Sequence, residues 1–212
     1  MSIVNKSLGF AAALFAAVAA GPAFATVIMF DSPTGDLGSN SHTYSGVVAF
    51  GYAGTREHHE DWRTRDLFGK DGGTGEQGLG LAGTHDNEIH AKRLPGRQAV
   101  VLDLNAFIGQ DVKIALGSVQ AGESGRVGFT GSFDPSDPDR EAFGGFITVA
   151  DQSLHDLGVI TTADRWFAVE GNDGDVLLAQ IVTAASQVPE PASALLLGTA
   201  LLGLGALRRK RV

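Results

Sequence analysis

From residue 26 to residue 187 the apolar residues come in short runs, and almost every run is closed by Gly, Asp, Asn or Pro. No stretch in this region sustains the 3.6-residue period that a helix needs to bury one face. What recurs is alternation over a few residues, the pattern of a strand with one side inward. Thr26–Phe30 and Thr43–Tyr52 read as strands, and so do the runs 78–82, 98–104, 112–119, 125–130, 143–150, 157–161, 165–170 and 175–183. Short strands parted by turn formers predict an all-β chain, an antiparallel β-sandwich of jelly-roll-like type. Trp166–Val169 and Val176–Val182 flank Gly171–Gly174, whose Asn and Gly residues tolerate positive φ, and this predicts a hairpin. Ala106–Ile108 can begin a single helical turn. Between Thr55 and Gly75 the alternation gives way to a polar stretch carrying Trp62 and Phe68, which reads as a long loop.

The two ends have a different character. Lys6, the apolar run Leu8 to Ala20 and the Gly21-Pro22 break precede Ala23-Phe24-Ala25, a small-x-small cleavage site. Residues 1–25 are therefore expected to be a secretory signal peptide, with Ala23 and Ala25 at the cut and Thr26 as the mature N-terminus. At the other end, Ala192 to Leu207 form 16 residues without a charge, followed by Arg208, Arg209, Lys210 and Arg211. A helix of that length spans about 24 Å, short of a hydrocarbon core of about 30 Å, and crosses only if the cations snorkel into the headgroups. Those four cations hold their end in the cytoplasm and place the preceding domain outside, the side the signal peptide also specifies. Pro189 and Pro191 fix the backbone on either side of Glu190, giving a stiff, extended segment that a processing enzyme can grip. The expected organisation is a signal peptide at 1–25, a sandwich at 26–183, a linker at 184–187 and a sorting tail at 188–212.

Charge and cysteine content narrow the function classes. The formal net charge is -8, and the domain is more acidic still, since five of the 16 Lys and Arg but only one of the 24 Asp and Glu lie in the two ends. Such a surface excludes nucleic acid as a partner and disfavours anionic lipid. The chain has no cysteine, which removes disulfides, thiol nucleophiles and cysteine zinc sites.

Taken in order, Pro189-Glu190-Pro191, the apolar run and the basic end resemble a PEP-CTERM sorting signal, the C-terminal tag of exported proteins in Gram-negative bacteria, many of which make extracellular polysaccharide. The resemblance implies that the protein leaves through the Sec translocon and is held transiently in the inner membrane with its domain in the periplasm. It further implies an exosortase, a membrane-embedded cysteine transpeptidase-like enzyme, as the partner that removes the tag and passes the protein toward the cell surface. Two segments inside the domain, -GLGL- at 78–81 and -DNEI- at 86–89, also resemble pieces of other PEP-CTERM ectodomains.

Candidate chemistry within the domain starts at Lys70–His90. Asp71, Glu76, Asp86, Asn87 and Glu88 supply oxygen ligands among glycines that let carbonyls turn inward, which suits calcium, although the spacing is not that of an EF-hand loop. The alternative is a turn at Asp86-Asn87 with Glu88 solvated at the start of the next strand. A second acidic loop, Phe133–Glu141, has two Asp-Pro steps and reads as a rigid turn. His58-His59-Glu60-Asp61 offers nitrogen and oxygen ligands, but neighbours in an extended segment point apart, and H-E-x-x-H is absent. There is no G-x-S-x-G and no phosphate loop. The reading that follows is a non-catalytic, exported surface or matrix protein, structural or adhesive. Its rivals are a carbohydrate-binding module, stacking sugars on Trp62 or Tyr52 with calcium shaping the loops, and an extracellular hydrolase.

Overall fold

The computed structural model describes residues 25–54, 62–84, 86–91 and 97–184. The signal-peptide and sorting-tail readings, including the expected membrane helix, lie outside these residues apart from Ala25, which is exposed just before the first strand. Among the described residues no helix is long and apolar enough to cross a membrane.

The described strands are β1 (Thr26–Met29), β2 (Gly35–Asp36), β3 (Ser41–Tyr44), β4 (Val47–Gly54), β5 (Trp62–Thr64), β6 (Leu67–Asp71), β7 (Gln77–Leu81) and β8 (Ile89–His90). They continue with β9 (Gln98–Asp103), β10 (Asp111–Gly117), β11 (Ser124–Thr130), β12 (Gly144–Val149), β13 (His155–Val159), β14 (Trp166–Asp173) and β15 (Asp175–Thr183). Three 3-10 turns complete them, one at Asn105–Phe107 where a single helical turn is expected. The fold is all-β, as its alternation predicts. One antiparallel sheet runs β13-β10-β15-β7-β6-β2, with β1 and β8 also bonded to β15; the other runs β12-β11-β14-β9-β4-β3, with β5 on β4.

Period-2 alternation sets the core. Val112, Ile114 and Leu116 of β10 and Val176, Leu178 and Ile181 of β15 face Val100 and Leu102 of β9 and Phe167 and Val169 of β14, all buried in one apolar cluster between the sheets. The other side of the second sheet is covered as well over its central strands. Tyr52, Ala99, Val101, Trp166 and Ala168 pack beneath Trp62 and the loop carrying Phe133 and Phe143. The Tyr52 hydroxyl donates to the Pro135 carbonyl at 3.2 Å and ties that loop down.

Three expectations change. The 171–174 turn does not make a hairpin: β14 lies in one sheet and β15 in the other. The short strand β8 fills the corner, pairing Asp175 with His90 while the Ala91 amide donates to the Gly174 carbonyl at 3.2 Å, so the start of β15 is partnered by β8 rather than by β14. Thr43–Tyr52 is two strands, since Ser45 and Gly46 both take positive φ and reverse the chain between β3 and β4. The polar stretch after residue 61 carries two strands rather than one long loop, because Trp62 and Leu67, the first residues of β5 and β6, are buried.

Both tyrosines of the chain sit in these packed regions. Burial, reinforced by the Asp31 charge, pushes the Tyr44 hydroxyl up to about 12, and burial with Asp134 pushes Tyr52 up as well. Between pH 10 and 12 the folded chain holds protons that the unfolded chain releases, so stability is intact below pH 10 and falls as pH rises through that window. Phenolate absorbance of the native protein is expected to show no transition near pH 10, and a normal tyrosine titration there would contradict this packing.

Candidate functional site

The -GLGL- and -DNEI- segments lie on each other. Leu79 and Leu81 of β7 point into the core, and Gly78 and Gly80 occupy the alternate positions. A side chain at Gly80 would meet the Asn87 carbonyl at 2.1 Å, so only glycine lets residues 87–88 cross the strand this closely. The crossing loop is tied at each step. Arg65 donates from Nε to the Ala82 carbonyl at 2.8 Å and from Nη2 to the Gly83 carbonyl at 3.0 Å. The Gly83 amide donates to Asn87 Oδ1 at 3.0 Å, and the Thr84 hydroxyl shares its one proton between the Leu81 and Glu88 carbonyls, 2.9 and 3.1 Å away. Asn87 sits at φ 58, a left-handed conformation that asparagine tolerates.

This loop delivers Glu88 to a buried place beside Lys70. Asp86 and Asn87 make the turn, but Glu88 is only 4% exposed, not solvated. Its carboxylate accepts from Lys70 Nζ and, at 2.9 Å, from Ser118 Oγ. Glu76 approaches the same ammonium at 3.7 Å. Burial pulls the Lys70 pKa down, but the hydrogen bond to Glu88 and the charges of Glu88, Glu76 and Asp86 outweigh it and leave it above the ordinary lysine value. Of the five expected calcium ligands, the structure therefore brings Glu76 and Glu88 to the chain's own cation, with Asp86 near enough for its charge to act on it. Asp71 is turned to Gln77, whose Nε2 donates to it at 2.8 Å, and Asn87 is occupied in the turn. Among the described residues no group of three or more His, Asp or Glu side chains is arranged to hold a metal ion.

An open groove of about 440 Å³ runs along this region. Phe68, Lys70 and Asp71 form its length, with Thr34 on one side and Asp86 and Asn87 on the other. It gathers an aromatic ring, an ammonium, carboxylates and an amide, which can exchange hydrogen bonds with a hydroxylated ligand; among the described residues no nucleophile with an adjacent base lines it. Phe68 and Lys70 escape the sequence reading. The signal for them was present in the alternation of Leu67-Phe68-Gly69-Lys70, which puts the ring and the ammonium on one face of β6 once Leu67 is taken as inward.

The remaining candidates lie elsewhere. Tyr52 is fully buried and Trp62 is 4% exposed, so neither can serve as a stacking platform for sugars. In the Phe133–Glu141 loop, Asp134 caps the Ser136 amide and Asp139 the Glu141 amide, each at 2.8 Å, the rigid turn expected of it. His90 is buried with Nδ1 on Asp175, while His58 to Asp61 lie outside the described residues.

Comparison with known proteins bears on the tail. No curated protein and no solved structure matches the chain. The family model of the PEP-CTERM protein-sorting motif matches residues 187–210, a span holding Pro189, Glu190 and Pro191, the apolar run and the first three of the four cations. The chain thus carries the PEP-CTERM protein-sorting motif, the signal that marks a substrate of an exosortase.

Proposed function

We propose that this is an exported protein, anchored transiently by its tail, which an exosortase processes so that the domain comes to serve at the cell surface or in the extracellular polysaccharide matrix as a structural or adhesive component. The observation that carries the reading is the match over residues 187–210. Recognition falls to Pro189, Glu190 and Pro191, insertion to the uncharged run, and orientation to Arg208, Arg209, Lys210 and Arg211. The body of the protein suits a long-lived surface role. The central strands of its second sheet are covered on both faces, and the chain has no thiol to oxidise outside the cell.

Replacing Pro189, Glu190 and Pro191 together with alanine is expected to abolish processing and leave the unprocessed chain in the membrane fraction. Intact mass of the chain recovered from membrane and medium reads this directly. Release of a variant with the same mature mass as the parent would overturn the assignment.

A further inference from the structure

We propose that the groove along β6 binds a neutral saccharide, with the Phe68 ring as the stacking surface and Lys70, Asp71, Asp86 and Asn87 as partners for its hydroxyls.

The Lys70–Glu88 pair contributes position more than stability. Desolvation offsets much of the attraction in a buried ion pair, so such a pair is a poor source of stability. Its structural effect here is to fix an ammonium in the groove. Glu88, itself held by Ser118, takes one of the three N–H donors, and the lysine side chain remains 20% exposed. A lysine on a free surface would sweep through many rotamers; this one has a single anchored position.

Charge then selects the class of ligand. Glu88 neutralises Lys70, and Asp71, Glu76 and Asp86 leave the neighbourhood net negative, which disfavours uronates, sulfates and phosphates. A sugar hydroxyl suits it, because one O–H can donate to a carboxylate while its oxygen accepts from the ammonium or the Asn87 amide. Phe68 is half-buried beside these groups and offers the apolar surface on which the C–H face of a pyranose can rest. The walls are ordered in advance by the Arg65, Thr84 and Asn87 hydrogen bonds, so binding carries little ordering cost.

The proposal rests on the surface reading for where the ligand is met, but not for its test. The full chain, purified in a sugar-free detergent, is titrated calorimetrically with neutral β-glucan, mannan and galactan hexasaccharides and with a polygalacturonate hexamer. At least one neutral oligosaccharide is expected to bind saturably, with the uronate at least tenfold weaker. Phe68→Ala and Asp71→Asn, both outside the Glu88 pair, should each weaken binding tenfold or more while the melting temperature stays within about 3 °C of the parent, a shift below 1 kcal/mol for a domain of this size. Absence of saturable binding to any neutral probe, preference for the uronate, or binding that both variants leave intact would overturn it. Because the titration does not involve export or processing, failure of the sorting assignment would leave this result standing, and the converse holds.

Discussion

Glu170→Ala is expected to lower the unfolding free energy by about 3–5 kcal/mol, the cost of leaving buried charge without its partner. Glu170 lies on β14 with no solvent exposure, and its carboxylate accepts from Arg126 Nε at 2.7 Å and from Arg140 Nε at 2.9 Å, with Arg97 at 3.7 Å. Both of the nearer guanidiniums also rest against the Phe146 ring, at 4.6 and 5.5 Å from its centre. Arg126 comes from β11 and Arg140 from the turn just before β12, so one carboxylate fastens a neighbouring strand and the covering loop to the sheet. Urea titration reads the effect as a lowered midpoint at unchanged m-value. A loss below about 1 kcal/mol would show that the cluster is hydrated and that the loop is held by Phe133 and Phe143 instead.

Leu178→Ala carries the second large effect, about 2–5 kcal/mol, because a fully buried leucine is replaced at the crossing point of its sheet. Leu178 pairs with Leu116 of β10 on one side and Leu79 of β7 on the other. Beyond the global loss, hydrogen exchange should report a local one. Amides of β6 and β7, and with them the groove, should lose protection before those of β9 and β14. Uniform loss across both sheets would mean that the sheets open together and that β15 holds no special place in the first.

Strand positions were largely legible in the sequence, and the pairing of strands was not. Alternation depends on one strand at a time, so runs such as 98–104 and 112–119 are close to β9 and β10. Which strand lies beside which depends on contacts far apart in the chain. Gly171–Gly174 has the composition of a hairpin turn and instead carries the chain from one sheet to the other, because His90 and Ala91, some 80 residues earlier, hold its far side. Trp62 and Phe68 were submerged in a charged stretch, although each sits on a strand. The candidate site was half legible. Its acidic side chains stand out by composition, but the cation among them is Lys70, whose pairing with Glu88 depends on Gly80 allowing the loop to cross. Aromatic residues misled in the same way: Trp62 and Tyr52 are the conspicuous rings, and both are covered by a loop 70 to 90 residues later.

The position of β15 also sets an order of assembly. All strands of the second sheet lie between residues 41 and 173, so that sheet can form while the last strand is still being made. The first sheet cannot. Until residues 175–183 arrive it is only fragments: β2, β6 and β7 as one piece, β10 with β13 as another, and β1 and β8 without partners in the sheet. The final strand joins all of them, and the Thr26 amide reaches Thr183 Oγ1, at 3.2 Å, across 157 residues of chain. Contacts so remote in sequence form late. The strand that closes the first sheet ends a few residues before the sorting motif at 187–210. A truncation that reaches only a few residues further in than the motif therefore begins to dismantle the strand on which the whole first sheet depends.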